Sequence, residues 1–188
     1  MKLETPRLIL RPATMKDAER LAGQINNLNV SRNLLVVPYP YTLKDAKWFI
    51  NHCIDKRKKK PIDDYEFAIE LSDEKKVIGG AGISNVNKFQ GIGELGYWLA
   101  EPYWRKGYGT EACSSLLDLA FHKLNLRKIK ITVFAENAAS NALARKLGGK
   151  LEGTLRKHAR AKSTGKIHDE NIYGLLREEW EKVRKKLR

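Results

Sequence analysis

The segment Tyr103-Trp104-Arg105-Lys106-Gly107-Tyr108-Gly109-Thr110-Glu111-Ala112 constrains the chain more than any other, because it stands between a strand pattern and a helix pattern. Upstream, residues 93–100 alternate and stop at Pro102; downstream, Cys113, Leu116, Leu117, Ala120 and Leu124 recur with period 3.6. Gly107 and Gly109 let the backbone turn tightly, so that several amide hydrogens converge at a helix N-terminus, where the macrodipole favours anions. Arg105 and Lys106 add formal positive charge there. Such a loop can cradle a pyrophosphate. The plainer reading is a glycine-bearing helix start, and both stay open on the loop alone.

The rest of the chain fills in a sheet around this unit. Arg7-Leu8-Ile9-Leu10-Arg11-Pro12 alternates until its proline and reads as a strand. Thr14 and Thr42 are N-cap residues for helices over 15–27 and 43–60, the second ended by Pro61. Strands follow over 65–71, 76–84 and 93–100, then the helix from about 107 and a β-branched strand over 129–134. Asn137 caps a helix closed by Gly148-Gly149, and two strands over 151–160 and 167–176 precede a charged C-terminal helix. The order β-α-α-β-β-β-α-β-α-β-β-α has no linker or repeat, so residues 1–188 are expected to form one domain.

At 188 residues the chain can bury a core without disulfides or structural metal. The two cysteines, Cys53 and Cys113, lie far apart on helical segments and are expected as buried free thiols; His52, His122, His158 and His168 show no ligand spacing, so no metal is expected. No apolar run approaches ~20 residues, and the N-terminus lacks an apolar leader, which points to the cytoplasm and away from the membrane. The net charge of +14 gathers in 56–60, 156–166 and 182–188. It suits polyanions such as nucleotide phosphates, RNA or the ribosome, and equally a plain lysine-rich solvated surface.

Gly91-Ile92-Gly93-Glu94-Leu95-Gly96 matches the dinucleotide pattern GxGxxG, but it enters a strand and opens no helix, so that reading is rejected. Four blocks in register carry a different resemblance: Thr5-Pro6-Arg7-Leu8-Ile9-Leu10-Arg11-Pro12 with Asp17-Ala18; Glu94-Leu95-Gly96-Tyr97-Trp98-Leu99 with the loop above; Asn137-Ala138-Ala139-Ser140-Asn141 with Lys146-Leu147-Gly148 and Glu152-Gly153; and Asp169, Tyr173-Gly174-Leu175-Leu176 with Glu179-Trp180. Together they resemble the RimJ/RimL-type branch of the Gcn5-related N-acetyltransferases (GNAT) over nearly the whole chain. The resemblance implies an α/β (α+β) fold: a mixed, mostly antiparallel sheet of about seven strands, helices on both faces, and two central strands that splay to admit acetyl-CoA. Trp104 and Gly149 depart from the pattern, without removing a catalytic group.

In that reading the cofactor is held by Trp98, Leu99, Ala100, Arg105, Lys106, Gly107, Tyr108, Gly109, Thr110, Asn137 and Lys146. Ser140 would protonate or hydrogen-bond the CoA sulfur. Glu94, on the same strand face as Trp98, would accept the amine's proton through water; it could equally be a surface carboxylate. Asn137 has a local alternative as N-cap and Ser140 as a first-turn residue; Tyr173 could reach the thiolate or be core packing, and Glu152 and Asp169 read as groups that hold the sheet's end, with contact to a cationic substrate as their other reading. An α-amine with pKa near 8 costs only ~1.4 kcal/mol to deprotonate at neutral pH, against ~4.6 for lysine. The expected acceptor is therefore a protein or peptide N-terminus, ribosomal-protein-like, with weak RNA association and a monomer or homodimer as the expected assembly. The alternatives are a polyamine or aminoglycoside acetyltransferase, and a non-catalytic acetyl-CoA- or RNA-binding module.

Overall fold

The computed structural model of the chain describes residues 1–187. Eight strands among them form one sheet in the order β1-β2-β3-β4-β5-β6-β8-β7: β1 (Leu3–Glu4), β2 (Leu8–Arg11), β3 (Tyr65–Leu71), β4 (Val77–Asn87), β5 (Ile92–Leu99), β6 (Lys128–Phe134), β7 (Lys150–Arg160) and β8 (Ile167–Leu176). Every neighbouring pair is antiparallel except β5 and β6. The strand beyond the seven expected is β1, whose two residues pair with Leu10 and Ile9. So short an edge strand carries no periodicity for a sequence pattern to show.

The helices are α1 (Ala18–Ile25), α2 (Leu28–Ser31), α3 (Leu43–Lys58), α4 (Tyr108–Asp118), α5 (Ala138–Lys146) and α6 (Arg177–Leu187). The run expected as one helix over 15–27 opens instead with a 3-10 turn, Met15–Asp17, where the Asp17 carboxylate accepts the Thr14 amide at 2.7 Å, and it ends at Ile25. Asn27 then caps the short α2 by accepting the Asn29 amide at 2.8 Å. Thr42 and Asp45 close a reciprocal capping box on α3. One turn of π-helix, Leu119–Lys123, extends α4.

Strand alternation decides which residues meet which layer. One face of the sheet (Leu8, Leu10, Phe67, Ile69, Ile83, Leu95, Ile129) packs under α4 and α6, with Leu116, Leu117 and Trp180 buried against it. The other face meets α1 and α3 through a second cluster containing Leu21, Ala46, Ile50, Ala68 and Val77, with Trp98 packed on its edge. Each Leu or Ile removed from water contributes ~1.5–3 kcal/mol. Two layers of helix therefore clamp the sheet from both sides.

Candidate functional site

The sheet is broken at its centre. β5 and β6 pair through Ile92–Lys128, Gly93–Ile129 and Glu94–Lys130, and no pair forms beyond Glu94. From Leu95 onward β5 runs free of β6, which turns instead to β8 along its whole length, from Lys128–Leu176 to Phe134–Glu170. The result is a fork whose open edge exposes β5 backbone groups to whatever enters.

A cavity of about 540 Å³ fills this fork. It is lined by Tyr97, Trp98 and Leu99 on β5, by Arg105, Gly107, Gly109 and Thr110 at the start of α4, and by Asn137, Ser140, Leu143 and Lys146 around α5. Gly107 sits at φ +83° as the N-cap residue of α4, a left-handed conformation that costs a side-chain-bearing residue energy. Arg105 also adopts positive φ, at 59°. The turn points backbone amides at the cavity and adds the positive end of a helix dipole. An elongated thioester carrier bearing a diphosphate fits these residues: donors for the phosphates at one end, a free strand edge along the middle, and hydroxyls at the fork.

The loop is braced from 100 residues away in the chain. The Glu111 carboxylate accepts the Arg7 amide at 2.8 Å, the Arg7 Nε at 2.7 Å and the Thr5 hydroxyl at 2.7 Å, while Arg7 Nη1 donates to the Lys106 carbonyl at 3.1 Å. The same guanidinium lies 4.6 Å from the Tyr108 ring centroid. Sequence reasoning gave Arg7 and Glu111 no role, since only the sheet brings the first strand against α4.

At the fork's inner end, Asn137 accepts the Ser140 amide at 3.1 Å and so caps α5. Its backbone carbonyl accepts from Asn141, whose buried side chain also donates to the Phe134 carbonyl and accepts from Asn171 and the Tyr173 hydroxyl, both at 2.8 Å. Tyr173 is buried and receives Arg145 Nη1 at 2.9 Å, so its hydroxyl belongs to this network and not to the cavity. The Tyr97 hydroxyl is buried with no partner in hydrogen-bond geometry. Burial, with Cys113 adding, pushes it well above the ordinary tyrosine range, and nearby Ser140 opposes that rise.

A second cavity, about 300 Å³, adjoins β5 and shares Leu34, Tyr97 and Trp98 with the first. Leu35, Val36, Pro38, Tyr41, Trp48 and Phe49 wall it, and Glu66 lies at its floor. Among the described residues the Glu66 carboxylate has no hydrogen-bond or ion-pair partner. Burial, then the neighbouring Asp64, pushes its carboxyl up to about 7. Nothing in the local sequence Asp64-Tyr65-Glu66-Phe67 marks it; the signal is the register that sets it opposite glycine.

The remaining expected site residues fall outside the cavities. Glu94 stands at the root of the fork, ion-paired to Lys130 at 2.9 Å and accepting the Thr132 hydroxyl at 3.0 Å. Ala100 is buried and donates its amide to Ile78 at 2.9 Å. Lys106 turns toward the Tyr103 ring, at 5.8 Å, and Tyr108 packs against the core beneath Arg7. Glu152 pairs with Lys128 at 2.7 Å and Asp169 accepts the Lys157 amide at 2.7 Å, both at the sheet's end. Cys53 and Cys113 are buried free thiols, Cys53 pushed up to about 12 by burial.

A forked mixed sheet with a glycine-bearing loop at its mouth is the architecture of an acyl-CoA-dependent acetyltransferase. The chain belongs to that class: the family described as acetyltransferase (GNAT) domain matches residues 7–150. The uncharacterized N-acetyltransferase p20 of Bacillus licheniformis is 30% identical over 178 residues, spanning 95% of this chain and 97% of that one. Spermidine N(1)-acetyltransferase of Escherichia coli K12 is 27% identical over 146 residues, 78% of this chain and 74% of that one. Among solved structures, a Vibrio cholerae protein provisionally described as a ribosomal-protein-serine acetyltransferase superposes with a TM-score of 0.78 at 25% identity, covering 94% of this chain and 97% of that one. The chain is thus an N-acetyltransferase of the GNAT family, similar to its RimJ/RimL-type branch. No helix among residues 1–187 is long and apolar enough to cross a membrane.

Proposed function

We propose that this N-acetyltransferase takes its acetyl group from acetyl-CoA and passes it to the α-amine at a protein or peptide N-terminus. The observation that carries this reading is that two cavities, one lined by anion-binding loop and strand edge and the other by apolar side chains, meet across Tyr97 and Trp98 of the forked strand and Leu34 of the loop after α2. Acetyl-CoA supplies the thioester from which acetyl is transferred. The chain's own residues divide the work. Amides of the Arg105–Thr110 turn hold the diphosphate, with Arg105 and Lys146 adding charge at the cavity wall. Tyr97 and the Leu99 amide offer a strand edge with which the amide-bearing arm pairs as a further strand would, the Leu99 carbonyl being held by Trp104 Nε1 at 2.7 Å. Asn137 fixes the first turn of α5, and Ser140, on that turn, supplies a proton to the departing sulfur, a contribution of ~10²–10⁴-fold for a general acid. Glu94 and Lys130 lock the fork's root, which keeps the slot open at a fixed width.

The acceptor follows from the pKa ladder: an α-amine is neutral far more often at pH 7 than a lysine side chain, so one weak base suffices. The basic runs at 56–60 and 156–166 offer a ribosomal or RNA-bound substrate an attractive approach. A polyamine is the second reading, favoured by the spermidine-acetylating relative; against it, the acceptor cavity is mostly apolar and carries Lys162. A thiol-release assay over N-terminal peptides, spermidine and an aminoglycoside tests the proposal, with calorimetry of CoA alongside. Peptide turnover that falls at least ~100-fold in Ser140→Ala is expected. CoA that binds while every amine stays at background would leave a binding module and no enzyme.

A further inference from the structure

The apolar cavity beside the fork is floored by glycines in register. Glu66 on β3 pairs with Gly82 on β4, and Gly82 pairs with Gly96 on β5; one row along, Ala68 pairs with Gly80 and Gly80 with Trp98. Residues of one row share a sheet face, so the two β4 glycines leave a trough between the side chains of β3 and β5. Those side chains lean into it. A Cβ on Gly82 would collide with Glu66 Oε2, and a Cβ on Gly80 would lie 2.7 Å from Trp98 Nε1. The carboxylate therefore rests over Gly82, aimed along the row toward Gly96, where a Cβ would meet nothing within 4 Å. Adjacent strands lie ~4.8 Å apart, which puts the space above Gly96 within one hydrogen-bonding group of the carboxylate. That space borders the fork, because Tyr97 and Trp98 line both cavities.

Resting on the acetyltransferase reading above, we propose that Glu66 is the acceptor-recognition group of this enzyme, receiving the ammonium of a singly charged amine whose adjoining substituent is apolar, such as an N-terminus beginning with a large hydrophobic residue. The walls Leu35, Val36, Tyr41, Trp48 and Phe49 take the apolar substituent, and Lys162 at the rim disfavours a second cation on the same acceptor. A cavity of about 300 Å³ is at the small end of ligand pockets, enough for one residue and its α-amine. The proton moves from the ammonium to the Glu66 carboxylate, leaving a neutral amine and a neutral acid. The nitrogen lone pair then forms the C–N bond as the C–S bond breaks; the sulfur takes the Ser140 hydroxyl proton, the second proton lost by the nitrogen restores that hydroxyl, and Glu66 returns its own proton to water. A carboxyl pushed up to about 7 matches that task at neutral pH. The groups facing Glu66 are Asp64 on its own strand segment, Cys53 and Arg57 on α3, Tyr41 and Asp45 at the entry to α3, Lys162 from the β7–β8 turn and, two residues beyond Gly96, Glu94 on β5. Lys130 already neutralises Glu94 and Thr42 holds Asp45, which leaves Glu66 as the unpaired carboxylate of the trough.

The test compares wild type, Glu66→Gln and Gly82→Ala with 2-phenylethylamine, a peptide beginning with Phe, a peptide beginning with Asp, and spermidine. We expect kcat/KM to favour the two apolar amines over the others by ~10-fold or more, and Glu66→Gln to lower it by at least ~100-fold while CoA binding in calorimetry stays within about twofold. Wild-type kcat/KM should rise through a limb near pH 7 that Glu66→Gln lacks. Gly82→Ala, which pushes the carboxylate aside but keeps it, should show an intermediate loss with the limb retained. A Glu66→Gln enzyme as active as wild type on its best amine, or spermidine as the preferred acceptor, overturns the assignment of Glu66 and leaves the acetyltransferase reading standing. CoA that fails to bind wild type overturns both.

Discussion

A carboxylate in an apolar cleft without an ion-pair partner is expensive when ionised, and burial raises Glu66 accordingly. Its folded-state value, about 7, exceeds the ordinary 4.5, so the folded chain binds the extra proton between those limits. The stability linked to this group is fully present below pH 4.5 and is lost as pH rises through 7. Glu66→Gln, which cannot ionise, should therefore match wild type near pH 4.5 and be more stable at pH 8 by roughly 2–4 kcal/mol, read from chemical denaturation at both values. Equal stability differences at the two pH values would mean that Glu66 titrates normally. A different expectation attaches to Glu111, whose carboxylate gathers Thr5 and Arg7. Glu111→Gln keeps the shape but loses the charge-assisted bonds, and should raise the KM for acetyl-CoA by ~10-fold with little change in kcat, since a bond to a charged group contributes ~1.5–3 kcal/mol. A fall in kcat at unchanged KM would show that the brace acts on chemistry instead.

The turn at the head of α4 was the most legible element in the sequence, because its determinants are local: two glycines, two cations and a switch of period from 2 to 3.6 within ten residues. The same holds for Thr42, whose capping box with Asp45 spans three positions, and for Asn137, found as the cap it was expected to be. Glu66 was not legible, since its meaning depends on Gly82 and Gly96 lying beside it in neighbouring strands, a register that no local pattern states. The fork was implied by resemblance alone; that β5 leaves β6 after Glu94 is a property of the pairing and not of either strand's composition. Gly107→Ala tests the turn as an element. At φ +83° a Cβ costs ~1–2 kcal/mol and would stand 3.2 Å from Arg7 Nη2, so the variant should lose stability by about that amount and weaken CoA binding together. Loss of stability with unchanged CoA affinity would detach the loop's conformation from the cradle.

Across the whole molecule a net charge of +14 remains once every carboxylate is counted: Lys56 pairs with Asp64, Lys166 with Glu136 and Arg184 with Asp118, while most of the basic runs face water. Such a field reaches about 10 Å at 0.1 M salt, well beyond either cavity's mouth, and it acts on an acceptor before any contact is made. A monocation carrying an apolar group is repelled weakly and is held by desolvation once inside, whereas a trication such as spermidine meets the full repulsion on approach. Raising salt from about 0.02 to 0.3 M screens that repulsion, so kcat/KM for spermidine should rise several-fold while that for a Phe-initiated peptide changes little, and the ratio of the two isolates the acceptor from any effect of salt on CoA. Should spermidine turnover fall with salt instead, the cleft would be attracting polycations against the sign of the surface, which one unpaired carboxylate beside Lys162 does not supply.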